Sequence, residues 1–190
     1  MDGQCGPDVA ERAAFGPHCG ETGRHAVPEV TYIVHDLPVG RTGENYLAMA
    51  NLEPFGFGDS LEQIWLRPLA DGSYEVTCVP FRVYGLALGD TVALNPDGTR
   101  VAEILKSSGH RVFRIFLPRA LADSELRPAR DAIVSAAAID GLKSEWSGDR
   151  HVAIDVPPGR QVSAVWESIQ PAISAQHAVW EWGDVEDFRV

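Results

Sequence analysis

The 190-residue sequence lacks what several large classes of protein require. No run of about 18 apolar residues occurs, so a membrane-spanning helix is excluded. Lysine is almost missing, with Lys106 and Lys143 alone, and 16 Lys+Arg against 27 Asp+Glu leave a formal charge of -11 and a pI near 4.9. That is the wrong sign for gripping phosphates, so nucleic acid is not an expected partner. Cysteine is scarce and odd in number (Cys5, Cys19, Cys78), without a paired C-x-x-C knuckle, which leaves neither a disulfide framework nor a zinc module; reduced thiols are expected. The start, Met1-Asp2-Gly3-Gln4-Cys5-Gly6-Pro7, has neither the basic residues nor the apolar stretch of a secretory signal, and the reading is cytoplasmic. Leucine and isoleucine are absent from residues 1 to 29, so that segment is expected to be a loose leader. What is present is a 45% hydrophobic chain with mean hydropathy -0.10, enough to bury a core unaided.

From Val30 the texture becomes β-branched and aromatic. Val30-Thr31-Tyr32-Ile33-Val34 reads as a strand, and the glycine-bearing stretch to Ser60 as an irregular arm. Glu62 to Leu69 and Tyr74 to Val79, joined by Asp71-Gly72, read as a hairpin. Tyr84 to Leu94 and Arg100 to Lys106 add strands about the Asn95-Pro96-Asp97-Gly98 turn, so residues 30 to 109 are expected to form a small barrel-like module, a barrel or a strongly curled sheet. Beyond Gly109 the rhythm changes. A strand from Arg111 to Leu117 precedes a helix capped by Asp123 or Ser124, with Leu126, Ala129, Ile133 and Ala137 on one face and Asp140-Gly141 as its stop. Strands at Leu142 to Trp146 and His151 to Val156 lead to a second apolar stripe, Val162, Val165, Ile169 and Ile173, which Pro171 is expected to kink or shorten. Ala178 to Trp182 closes the order β-α-β-β-α-β. The expected fold class is α+β: a barrel-like module followed by a ferredoxin-like βαββαβ module over residues 110 to 190, the two packed as one unit.

Several segments together carry a resemblance: Leu61-Glu62-Gln63-Ile64-Trp65, Tyr74-Glu75-Val76, Pro80-Phe81, Gly85-Leu86-Ala87-Leu88-Gly89-Asp90, Ser108-Gly109-His110 and Asp155-Val156-Pro157-Pro158. The sequence from about Val30 onward resembles the bacterial family of the domain of unknown function 4265, most specifically in the Gly-Leu-Ala-Leu-Gly-Asp and Ser-Gly-His segments. The terminal Trp180-Glu181-Trp182 is similar to an aromatic-acidic ending common there but departs from it at Gly183. The resemblance implies a fold and a compartment, and no activity.

Four constellations carry possible chemistry. Gly85 and Gly89 could admit a ligand to the backbone, but the segment lacks the third glycine and following helix of a dinucleotide fingerprint. The plainer reading is a turn in which Gly89 takes positive φ and Asp90 binds nearby amides. His110, at the expected junction of modules, is the first candidate for acid-base work with a carboxylate such as Glu62, Glu75, Asp90 or Glu103; the plainer reading is a structural link. Cys5, His18, Cys19 and His25 are soft ligands in one stretch, but adjacent His18 and Cys19 rarely reach one tetrahedral ion, so no metal and no cofactor is expected. Trp146, Trp166, Trp180 and Trp182 lie among carboxylates that include Glu145, Glu181 and Asp184. Most are expected in the core, while Trp180, Glu181, Trp182 and Asp184 could present an aromatic-acidic surface to a basic protein. The expected function is accordingly a non-catalytic acidic binding protein acting through a macromolecule, one variant being an antidote to a basic effector. The alternatives are a small hydrolase or lyase, or a small-molecule sensor, using His110 in a cleft between modules. No recognisable nucleophile elbow supports the hydrolase, and oligomeric state is not read from the sequence.

Overall fold

The computed structural model describes residues 30–190. The leader, with Cys5, His18, Cys19 and His25, lies outside them. Among the described residues, ten strands form two sheets and two α-helices complete a mixed α+β architecture.

The first sheet contains β1 (Thr31–Ile33), β2 (Tyr46–Asn51), β3 (Ser60–Pro68), β4 (Tyr74–Val76), β5 (Thr91–Leu94) and β6 (Val101–Lys106). The nine-residue β3 is its spine. It pairs in parallel with β1 and antiparallel with β2 and β4, and β5 and β6 extend the sheet beyond β4. Ile64, Leu66, Val76 and Val92 are fully buried against Leu52 and Leu86. The sheet curls until β2 meets the approach to β6 at a single bridge, Met49 with Arg100, but no ladder joins the two, so the expected barrel is not closed. Two further expectations are corrected. The arm from Val34 to Ser60 contains the strand β2, whose inward residues are the small Ala48 and Ala50. Residues 84–90, expected to open a strand, are loop, because Gly85 and Gly89 hold φ of 70° and 82°, outside the strand region.

The second sheet has the order β10-β7-β9-β8, all antiparallel, from β7 (Arg111–Phe116), β8 (Lys143–Ser147), β9 (His151–Val156) and β10 (Val179–Trp182). Helices α1 (Asp123–Asp140) and α2 (Ser163–Ser174) cover one face. Phe113, Ile115, Val152, Ile154 and Val156 meet Leu126, Ile133, Val165 and Ile169 there. Neither Asp123 nor Ser124 caps α1: Ala122 is the N-cap, and the Asp123 carboxylate takes Arg150 at 2.6 Å. Asp140, at the end of α1, instead accepts the amides of Ala164 and Val165 and caps α2 across the helix pair. Pro171 falls in the last turns of α2, which continues to Ser174.

The other face of this sheet has no helix. Strand alternation turns Val112, Arg114 and Phe116 of β7 and His151, Ala153 and Asp155 of β9 toward it. The loop after β4 lies on this face, and Val79, Phe81 and Ala87 pack with Val112 and Ala153 as a small core between the sheets.

Candidate functional site

The helix-free face carries charge that a strand core does not need, and each buried charge must find a partner or lose its ionisation. Three such groups form one unit. His35, just after β1, is 2% exposed, stacks on Phe81 with ring centroids 4.1 Å apart, and sits between two carboxylates. Its Nδ1–H donates to Glu145 Oε2 at 2.6 Å and its Nε2–H to Glu62 Oε1 at 3.2 Å. Burial opposes a charge on this ring. Cys78 is the next influence, but its thiol is itself pushed up by burial and is neutral at neutral pH, so the two carboxylates hold the imidazolium and keep its pKa raised. Burial likewise opposes ionisation of Glu62, and the bond to His35 together with the amide of Phe81 brings its pKa below the ordinary value. Glu62 also accepts the amides of Arg82 and Val83 at 2.7 and 3.0 Å, while Glu145 accepts those of Val39 and Val79. Glu62 lies on β3 and Glu145 on β8, so the unit ties one sheet to the other.

Beside it lies a cavity of about 330 Å³ between the sheets. Its polar lining is Arg82, Arg114, His151, Tyr84 and Glu181, and Phe57 and Phe116 supply aromatic surface. Arg114 is 1% exposed. Its Nη1–H donates to Glu181 Oε1 at 3.2 Å, its Nη2 donates to the Val83 carbonyl, and it lies over the Tyr84 ring, while its Nε finds no partner. The Tyr84 hydroxyl donates to Glu181 Oε2 at 2.7 Å; burial and Glu181 push its pKa up to about 12. His151 has the opposite fate to His35. Burial first, then the charges of Arg82 and Arg114, lower its pKa to about 3, so it is a neutral imidazole, and its buried Nδ1 is unpartnered. The Arg82 guanidinium lies over Phe57 at 5.4 Å and forms no ion pair or side-chain hydrogen bond among the described residues.

A model of the family described as a domain of unknown function (DUF4265) matches residues 62–182. The chain belongs to this family. No curated protein matches. Among solved structures, the chain is similar to a hypothetical protein from Neisseria gonorrhoeae at 15% identity and a TM-score of 0.54, covering 76% of this chain and 98% of that one, a likeness of fold alone. The DUF4265 match spans Glu62, Arg82, Arg114, Glu145, His151 and Glu181, and begins after His35 and Phe57.

Of the residues singled out in the sequence, Trp180 and Glu181 line the cavity and Glu62 and Glu145 belong to the His35 unit, while the others lie elsewhere. His110 Nδ1 is 2.7 Å from Oδ1 of Asp155, none of the four carboxylates considered for it, and His110 does not line the cavity. Burial raises the Asp155 pKa, which His110 opposes. Glu62 belongs to His35 and Glu75 to Arg67. Asp90 accepts the amides of Ala87 and Ser108, and a Cβ on Gly89 would meet Ser108 at 3.2 Å, which makes this a turn as the plainer reading had it. At Gly85 the close approach is made by the chain's own C-terminal segment: an added Cβ would lie 2.2 Å from the amide nitrogen of Phe188. Trp146, Trp166 and Trp182 pack against the helix-side core, and Trp180 is 41% exposed with its ring edge-on to Trp166. Arg111 lies 3.8 Å over Trp182 and pairs with Asp184 at 2.7 Å, while Glu181 holds Tyr84 and Arg114, so these carboxylates already have intramolecular partners. His35, Arg82, Arg114 and His151 were not found by sequence reasoning. The available signal was charge embedded in apolar strand runs, as in Phe113-Arg114-Ile115.

Proposed function

We propose that the protein is a non-catalytic binder of a small molecule, seated in the cavity between the two sheets. The observation that carries this reading is the Arg82 guanidinium, without a side-chain acceptor among the described residues, lining a space with aromatic surface. At about 330 Å³ the space falls at the lower end of ligand pockets. The lining contains no serine, threonine or cysteine, and an imidazole with a pKa of about 3 is too weak a base to take a proton at neutral pH. With Glu181 already engaged by Tyr84 and Arg114, the lining favours binding over turnover. The reading includes a cytoplasmic setting and two structural units, a barrel-like one over residues 30 to 109 and a ferredoxin-like one over 110 to 190, whose strand order and helix placement suit a split βαβ unit.

The test is a nuclear magnetic resonance screen with small organic molecules. Binders are expected to shift resonances of Phe57, Tyr84 and His151, and Val179→Trp, at the lining, is expected to abolish those shifts. If no molecule moves these resonances, the reading fails. A second reading, docking of a basic macromolecule on Trp180, Glu181, Trp182 and Asp184, draws on the charge of -11 and the exposure of Trp180. Its mark is capture that weakens with salt and with Glu181→Lys plus Asp184→Lys.

A further inference from the structure

We propose that the ligand is a small aromatic monocarboxylate, its carboxylate on Arg82 and its ring against the aromatic surface of the cavity; this rests on the small-molecule reading above. Size gives the first limit. A volume of about 330 Å³ falls at the lower end of ligand pockets and suits a single ring system with a short side chain.

Charge gives the second limit. Of the two lining arginines, Arg114 already carries Glu181 at 3.2 Å. Glu62, behind the cavity, is compensated by the His35 imidazolium and three backbone amides. Among the described residues, Arg82 is therefore the one lining cation with no carboxylate in ion-pair contact. A single compensating negative charge fits this arrangement, whereas a phosphate dianion would face Glu181 with no second free cation; Lys106 and Lys143, the only lysines, do not line the space. A cationic amine would meet two arginines. The planar guanidinium matches a carboxylate in two parallel N–H···O bonds. Neutral His151 can add a hydrogen bond without a charge.

The third limit is the wall. Phe57 and Phe116 line the space, and Arg82 itself lies over Phe57, which orders the guanidinium before any ligand arrives.

Isothermal titration calorimetry with four probes tests this: indole-3-acetate, its primary amide, tryptamine and phenyl phosphate. The acid is expected to bind at least about tenfold tighter than the amide, with tryptamine not binding and phenyl phosphate weaker than the acid. Arg82→Met keeps the stem and the backbone amide that Glu62 accepts, so it is expected to fold and to bring the acid down to the affinity of the amide. Its melting temperature and amide spectrum check the folding, and Arg82→Lys serves if it misfolds, with the acid-to-amide ratio reduced but above unity. Equal binding of acid and amide by the unaltered protein, or an acid preference that survives Arg82→Met, overturns the carboxylate assignment while leaving the cavity reading intact. Tighter binding of phenyl phosphate overturns the monoanion argument. If neither acid nor amide binds, or if Val179→Trp leaves their binding unchanged, the cavity reading fails and this inference with it.

Discussion

His35→Leu puts a side chain of similar bulk where an imidazolium bridges two buried carboxylates. Glu62 keeps three amide donors and Glu145 keeps two, but the only full positive charge bonded to both is gone. Removing one partner of a buried ion pair costs about 3–5 kcal/mol, which for a chain of this size is a fall in melting temperature of about 6–20 °C. The dependence on pH separates lost charge from lost packing. In the folded protein the His35 pKa is raised above 6.5, so its stabilisation is complete below pH 6.5 and is lost as the pH rises through the folded value. The Glu62 pKa is lowered from 4.5, so its contribution is complete above pH 4.5 and is lost as the pH falls through the folded value. In the variant the two carboxylates stand buried without the cation, and protonation relieves them. Urea denaturation followed by circular dichroism is expected to show a deficit largest near neutral pH, shrinking on both the acid and the alkaline side. A loss under about 1 kcal/mol, or a deficit independent of pH, would refute the ionic account of this cluster.

His151→Gln is expected to flatten the acid limb of the stability curve. With the His151 pKa lowered from 6.5 to about 3, the native protein gains fully from its neutral ring above pH 6.5 and loses that gain as the pH falls toward 3, which denaturation at a series of acid pH values measures. Gly85→Ala combines a φ of 70° with a Cβ 2.2 Å from the backbone of Phe188, and is expected to cost well over the ~1 kcal/mol of strain alone. Gly56→Ala, with a φ of 84° and open space around the new methyl, supplies the strain-only reference in the same thermal melts, and equal losses would show that the packing at Gly85 is unimportant. His110→Ala leaves Asp155, 2% exposed, without its side-chain partner, and a cost of about 1–3 kcal/mol is expected; an unchanged melting temperature would remove the linking role.

The second sheet was legible because periodicity suffices for it. Leu126, Ile133 and Ala137 repeat at helical spacing, and β9 begins and ends where its apolar run does. The first sheet was harder. β2 buries Ala48 and Ala50, residues with weak strand preference, and residues 84–90 are apolar in composition yet held as a loop by two glycines at positive φ. The site was the least legible part. His35 and Glu145 are 110 residues apart and meet only because the two sheets face each other, which no local spacing encodes. Asp155 was quoted as part of a motif but not as the partner of His110, since that pairing depends on the loop before β7 returning to the end of β9.

The packing of the C-terminal segment has a consequence for synthesis. Glycine 85 donates its amide to the Gly183 carbonyl, Gly183 donates to Val112, and Phe188 joins the core of the first sheet. Translation delivers these residues after the other nine strands and both helices. Until they leave the ribosome, β7 lacks its outer neighbour, the turn at Gly85 has nothing lying on it, and Glu181 is not there to take Arg114. The nascent chain can assemble the first sheet early, but the cavity between the sheets is completed only once β10 and the segment after it have emerged, and until then the cleft is half-built and Arg114 stands without Glu181.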